Sequence, residues 1–423
     1  MMRMKNLVTI FSVLFGTFSA WAQPVSDSIT MGQFYVNQIF YSLENGEVAN
    51  EDNTNWDLAF TTHGNGAAGS AIWINEFNTV LWKYPGDTSN WSGFDTTGHE
   101  NWERLLNSDT TWTNGAFNKY RGAAGMFDMG WGILNPSNNY WTFGDSLYLL
   151  RLNDGSFRKL WIVSLKTGVW EYKYANIDGS NEQVFTIDKS VYPKRNFVYH
   201  SVLNDQIVDR EPDNDTWDIT FTKHVDYLNP PGMYQSMTSV FSNRGVYTAK
   251  SHETDYAAAS VSTSPQTAYT DRIDNIGREW KKYSSSSGWI TYDSIAYFLY
   301  VNDSTDWYRM VFTGFEGMGT GKAIFETEEL FTVSVEEPEQ KMTWSLYPNP
   351  AAENVTILMD NSLQGTVNMQ IMDITGKIVW NNSFGLNSGV TQKQVNISHL
   401  NSGVYFVVLS NSNLKTMQKL IVE

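Results

Sequence analysis

Six histidines are the side chains of this 423-residue chain best suited to ligating a metal or moving a proton near neutral pH: His63, His99, His200, His224, His252 and His399. Their placement follows a pattern. His63 stands seven residues after Trp56 and His224 seven after Trp217, and each is followed, after an intervening loop, by a further histidine, His99 and His252 respectively. The carboxylates offer less. Asp52/Asp57 and Asp213/Asp218 fall in turn-plus-strand segments that turn chemistry already explains, so a glycosidase pair is not indicated. Asp303 and Asp306 could offer oxygen ligands to Ca²⁺, but their spacing fits no calcium loop. No nucleophile elbow, His-Glu-x-x-His helix or phosphate-binding glycine loop occurs.

The elements that must position these residues repeat. Trp56-Asp57-Leu58-Ala59-Phe60-Thr61-Thr62-His63 returns as Trp217-Asp218-Ile219-Thr220-Phe221-Thr222-Lys223-His224, and residues 42–55 resemble 201–216. Each block reads as a strand, an acidic Asn-rich turn, then a strand opening at the tryptophan. A later pair of strands repeats as well, near residues 144–162 and 292–312. A repeat redraws the domain map, and two divergent copies of one all-β domain are expected, over 30–190 and 195–335. Alternation puts Trp56, Leu58 and Phe60 on the core face and Asp57, Ala59, Thr61 and His63 on the other. The histidines are thus expected to leave their strands on the solvent side, at the mouths of loops, where binding residues tend to sit. His200, on a strand among aromatics, reads as structural, and His399 as a surface residue.

Composition narrows the class. Gly, Asn, Ser and Thr punctuate short runs rich in Val, Ile, Tyr and Trp, which favours antiparallel strands joined by turns over helices. Charged residues make up 17% of the chain and the formal net charge is −16, which argues against nucleic acid or an anionic membrane as partner. Cysteine is absent, so disulfides and thiolate metal sites are excluded. Residues 1–22 read as an export signal: Arg3 and Lys5, an apolar run from Leu7 to Phe15, then Ala20-Trp21-Ala22 before Gln23. That run is too short to span a bilayer, and no later apolar stretch of about 20 residues exists.

An acidic, proline-containing linker at 336–346 separates the aromatic blocks from a different texture. Short strands at near-regular spacing, with turns at Thr375-Gly376 and Asn401-Ser402-Gly403, predict a small β-sandwich over 347–423. Tyr347-Pro348-Asn349-Pro350, Asp373-Ile374-Thr375-Gly376-Lys377, Gly403-Val404-Tyr405-Phe406-Val407 and Lys419-Leu420-Ile421-Val422 resemble, in order, the C-terminal sorting domain of the type IX secretion system of Bacteroidetes. The resemblance implies the type IX machinery as partner, outer-membrane translocation, and release from or attachment to the cell surface.

The two aromatic-rich blocks resemble the HmuY-like family, exported haem-binding proteins of Bacteroidetes, through Trp-Asp-Leu/Ile-x-Phe at Trp56 and Trp217, Ile276-Gly277-Arg278-Glu279-Trp280-Lys281 and Phe312-Thr313-Gly314-Phe315-Glu316-Gly317. The resemblance implies a non-enzymatic protein that grips haem iron between two side chains, histidines or methionines. The matching candidates are His224 with His252 and His63 with His99, with Met126, Met129, Met233 and Met237 in similar regions. Trp73, Trp112, Tyr234 and Phe241 would flank a porphyrin, and Arg121, Lys223 or Arg244 would meet its propionates. Other readings stay open: a surface glycan-binding or protein-interaction module, with the 17 tryptophans as stacking platforms for sugars, and a fold that has lost its ligand and serves as a scaffold or surface antigen. The histidines would then be surface residues on long loops.

Overall fold

The structure, a computed structural model, describes residues 24–330 except 65, 67, 229–231 and 302–305, and residues 343–423 except 362–364, 387–388 and 411–414. The expected export signal and most of the expected linker lie outside the described residues. As the composition dictates, the described chain is nearly all β, in antiparallel sheets, with one short α-helix, Tyr256–Ala259.

Two apolar cores, each between a pair of facing sheets, carry the aromatic blocks. In the first, Leu58, Phe60, Ile72 and Val198 from a four-stranded sheet meet Tyr148, Leu160, Trp170 and Tyr172 from a larger one. In the second, Ile39, Ile219, Phe221 and Val240 meet Tyr297, Met310, Phe312 and Phe325. The period of two puts Leu58 and Phe60, or Ile219 and Phe221, on one face of the tryptophan strand. Fully burying each such side chain stabilises the fold by about 1.5–3 kcal/mol.

The two cores are joined by an exchange of hairpins. The opening hairpin, Asn37–Ser42 with Gly46–Asp52, pairs with the second tryptophan strand, Ile219–Leu228. The equivalent second hairpin, Phe197–Ser201 with Gln206–Val208, pairs with the first tryptophan strand, Leu58–Thr61. The first core is therefore built from one continuous stretch, 58–202, and interrupts the second, which draws on 29–43 and 219–325. The Trp-Asp aspartates explain the repeated motif. Asp218 accepts from the backbone N–H of Leu43 at 2.7 Å, and Asp57 from that of Leu203 at 3.1 Å. Each thus caps the turn of the hairpin supplied by the other block. Asn75 and Asn243 complete the symmetry, donating to the carbonyls of Trp56 and Trp217 at 2.9 and 2.7 Å.

The face opposite each core, expected to meet solvent, is buried. Asp57 is 3% exposed, Ala59 1% and Thr61 0%, because that face packs in a seam between the cores. Trp56, expected on the core face with Leu58 and Phe60, lies here instead because the strand's alternation begins only at Leu58. With Ala59, Trp73, Phe197 and Tyr199 it meets Phe241 and Ile273, with Trp112 against them. Trp112 Nε1 donates across it to the Ser242 carbonyl at 2.8 Å, and Arg210 to Gln38 Oε1 at 2.7 Å.

The C-terminal segment is a sandwich of a three- and a four-stranded sheet around Val355, Ile357, Ile371, Val407 and Leu420. Its motifs have local physical roles. Asn349 donates to the Lys419 carbonyl at 2.7 Å and accepts from the Ile421 N–H at 2.8 Å, pinning the last strand. Asp373 accepts from the N–H groups of Thr375 and Lys377, closing a turn in which Gly376 takes φ +79°, a conformation that favours glycine.

Candidate ligand-binding groove

The histidine pairs are not brought to common partners. His224 lies on the Ile219–Leu228 strand and is 8% exposed, not solvent-facing as alternation predicts, because the inter-core seam covers that face. Its Nε2 is 3.0 Å from Asp226 Oδ1, and Asp226 Oδ2 is 3.1 Å from Arg278 Nε. It borders a cavity of about 50 Å³ shared with Glu76, Gln38, Trp73 and Trp112. That space takes a few waters at about 10–15 Å³ each, and no porphyrin. His252 ends a strand of a different sheet, exposed, with its backbone N–H donating to Gln266 Oε1 at 3.2 Å.

His63 is half-buried, its Nε2 2.6 Å from Asn214 Nδ2. His99 sits on a short 3-10 turn, its ring edge-on to Trp82 and Phe157 at 5.6 and 5.2 Å, its Nδ1 3.2 Å from the Thr96 carbonyl. His200 is fully buried against Phe185, Tyr172 and Tyr174, and burial holds its imidazole down at about 4, so it stays neutral. That agrees with a structural role. Among the described residues no cluster of three or more His, Cys, Asp or Glu is placed to hold a metal ion. The proposed porphyrin-flanking rings Trp73, Trp112 and Phe241 pack on one another in the seam. Tyr234 is 41% exposed, with the Arg104 guanidinium 4.4 Å above its ring. Of the methionines, Met126 is exposed, Met129 is buried in the first core and Met233 is exposed at a strand end.

Met237 alone of these lines a roomy site. A groove of about 620 Å³ opens on the second core between the Met233–Ser242 strand and the hairpin Lys281–Ser284/Gly288–Thr291. This is within the range of about 300–1,000 Å³ of small-molecule sites. Tyr35, Tyr283 and Trp289 supply rings, Met237 and Met318 thioethers, and Arg278, Lys281 and Lys282 positive charge. The rings are held from below. Trp289 stands edge-on to Phe315 at 4.9 Å and Tyr35 stacks on the same ring at 6.0 Å. Tyr283 is 65% and Met318 56% exposed, so an apolar surface faces the opening.

Two features mark the groove as more than packing. Phe34 and Tyr35 both take positive φ, 58° and 59°, a left-handed conformation costing about 1–3 kcal/mol per non-glycine residue, and it is Tyr35 that reaches the groove. Lys281, 8% exposed, donates to the Thr238 carbonyl at 3.1 Å and lies 3.8 Å over the Trp280 ring. Burial, then the charge of Arg278, pulls its ammonium down to about 7. Arg278 is paired with Asp226 and lies 3.7 Å from Met237 Sδ. With Arg278 shared with Asp226 and Lys281 only partly charged near neutral pH, Lys282 is the groove cation that forms no ion pair among the described residues. Sequence reasoning missed Tyr35, Lys282, Tyr283, Trp289 and Met318. The signal was close at hand, since the segments 276–281 and 312–317 flank this groove.

Comparison with known proteins concerns the tail. The family described as secretion system C-terminal sorting domain matches residues 345–423. The C-terminal sandwich is thus a type IX sorting domain, and the chain is secreted by that system to the outer surface or the medium. No helix among the described residues is long and apolar enough to cross a membrane. No curated protein matches the sequence. Among solved structures it is similar to dimeric latent PorU from Porphyromonas gingivalis, at 12% identity and a TM-score of 0.17, over 83% of this chain and 31% of that one. The chain spans about a third of that protein, and a likeness this weak carries no argument.

Proposed function

We propose that the secreted protein is a non-enzymatic binding protein whose groove takes a flat, largely apolar ligand bearing acidic groups, with haem as the first candidate. The observation that carries this reading is the composition of the groove wall: aromatic rings and two thioethers beside Arg278, Lys281 and Lys282, in a cavity of about 620 Å³. Thioether sulfur is an established axial donor to haem iron, and the exposed cations Arg278 and Lys282 at the rim suit carboxylates. The residue types present suit the group: Met237 or Met318 would offer a thioether to the iron, Tyr283 and Trp289 would pack on the ring, and Lys282 and Arg278 would meet the propionates. The histidines are not required. This reading keeps the ligand that the HmuY-like resemblance implies and moves its site away from His224/His252 and His63/His99.

Haemin titration of residues 23–423, followed by absorbance, tests it. A saturable, sharpened Soret band that is weakened in Met237→Ala and in Lys282→Glu, and unchanged in His252→Ala, is the expected result. An unsaturated response, or loss only in the histidine variants, refutes the groove as the site. A second reading rests on the exposed rings of Tyr283 and Trp289, which suit stacking on a sugar. Saturable binding of oligosaccharide but not of haemin, abolished by Trp289→Ala, would establish it.

A further inference from the structure

A second cluster of cations lies elsewhere, at the end of the first tryptophan strand, and the groove does not use it. It is assembled around Thr61. Trp170 Nε1 donates to the Thr61 carbonyl at 3.2 Å, and the Lys189 ammonium lies 5.3 Å from the Trp170 ring centroid while donating to the Gly69 carbonyl. Arg244, which follows the Met233–Ser242 strand of the second core, reaches across the seam and donates to Thr61 Oγ1 at 3.3 Å. His63 follows two residues on. Three separate segments thus deliver Lys189, Arg244 and His63 to one half-buried place.

The cations there lack a directly paired carboxylate. Among the described residues, neither Lys189, Arg244 nor His63 forms an ion pair with a carboxylate. Glu211 is the acid whose charge acts on Arg244. It is already engaged by the N–H groups of Asn196 and Phe197 and by the Tyr199 hydroxyl, and burial lifts it to about 7. Arg244 Nε is buried with no hydrogen-bond partner. Burial depresses all three groups. The charge of Arg244 adds to it at Lys189, which falls to about 8, and the charges of Arg244 and Lys189 add to it at His63. Arg244 itself falls to about 10 by burial against the opposing pull of Glu211. A fold does not gather cations at a seam without loss of stability unless something of opposite charge offsets it.

We propose that His63, Lys189 and Arg244 form an anion site that takes a doubly charged oxyanion, a phosphate or sulfate group. An ammonium and a guanidinium fork are the two side chains that recognise such groups, by point charge and by paired N–H donors. The half-buried setting weakens screening. With its Nε2 facing the Asn214 amide N–H, the neutral His63 ring carries its proton on Nδ1, which is the third donor, and a bound anion's charge would favour the protonated ring. The shared chemistry leaves two sources open, a free inorganic anion or an esterified one on a surface glycan or lipid headgroup.

The test uses residues 23–423 and inorganic phosphate, titrated by calorimetry at constant ionic strength, with sulfate and glucose 1-phosphate as further arms. Saturable binding is expected, weakened about tenfold or more, the equivalent of about 1.4 kcal/mol, in Lys189→Gln and in Arg244→Gln, and unchanged in Lys393→Gln of the tail. The His63 ring should titrate at higher pH with phosphate bound. Tighter binding of glucose 1-phosphate than of phosphate assigns an esterified ligand, and equal binding a free anion. No saturable heat, or equal affinity in wild type and both variants, overturns the proposal. Should the variants misfold, the wild-type chain decides alone: phosphate must raise its Tm above chloride at equal ionic strength, and no rise refutes the site. None of these outcomes depends on the groove.

Discussion

Glu76 offers the sharpest test of how the two cores are held together. It sits in the first core's sequence but is buried in the seam, its carboxylate accepting from the Asn107 N–H at 2.7 Å and from the Val225 N–H of the second core at 2.9 Å. Burial outweighs both bonds and lifts its pKa from 4.5 to about 7. A raised carboxylate pKa means the folded state holds the proton more tightly than the unfolded chain does. The stabilisation is therefore complete below the unfolded value and is lost as pH rises through about 7. With those two values, linkage gives a loss of about 2.5 kcal/mol between about pH 5 and about pH 8 from this one group. Glu76→Gln removes the titration. It also leaves one of the two N–H groups without an acceptor, a roughly pH-independent loss of about 1–3 kcal/mol. Urea unfolding followed by tryptophan fluorescence at both pH values should show a pH dependence about 2.5 kcal/mol smaller in Glu76→Gln than in wild type. Glu211, lifted by burial to about 7, and Asp57, to about 6, add the same sign to both proteins. The depressed Lys281 adds the opposite sign to both, so the difference isolates Glu76. An identical pH dependence in the two proteins would refute the claim that this carboxylate is held at the seam against its ionised form.

Further expectations concern the hairpin exchange and the groove. Asp57→Ala and Asp218→Ala each uncap the turn of the hairpin supplied by the other block, and each should lower unfolding free energy by about 1–3 kcal/mol in chemical denaturation; an effect below about 0.5 kcal/mol would deny the caps their role. Gly317→Ala places a Cβ 2.3 Å from Trp289 Nε1 at a residue with φ +76°, so it should push Trp289 aside and weaken haemin binding in the absorbance titration while the far-UV spectrum is retained. Met237→Ala should weaken that same titration and shift the Soret maximum, since a thioether donor is lost, whereas His99→Ala should change neither.

What could be read in advance was whatever depends on neighbours in the chain. Period-two runs punctuated by Asn, Asp and Gly define strands and turns locally, so the all-β class and the C-terminal sandwich were legible. So was the turn at Thr375-Gly376, because such a turn is closed by residues two to four positions away, here Asp373 accepting from Thr375 and Lys377. The Trp-Asp repeat was legible as a repeat, but not as a pair of reciprocal caps. Both hairpins carry the same pattern and both tryptophan strands offer the same edge, so local preference does not choose the partner. Only the packing of two whole cores settles that the hairpin at 37–52 joins the strand at 219 and the hairpin at 197–208 the strand at 58. The same cause hid the sites. Alternation tells which residues share a face, but whether that face meets water or a second sheet is a non-local fact, and so Asp57, Thr61 and His224 are buried where solvent was expected. Tyr35, Met237, Lys281 and Met318 converge from segments up to nearly 300 residues apart, and no spacing in the chain records such a meeting. The sequence by itself determined the address of this protein and the kind of fabric it is made from. The tertiary structure decided which hairpin closes which sheet and where cations and rings meet, because both are set by contacts between segments that the chain keeps far apart.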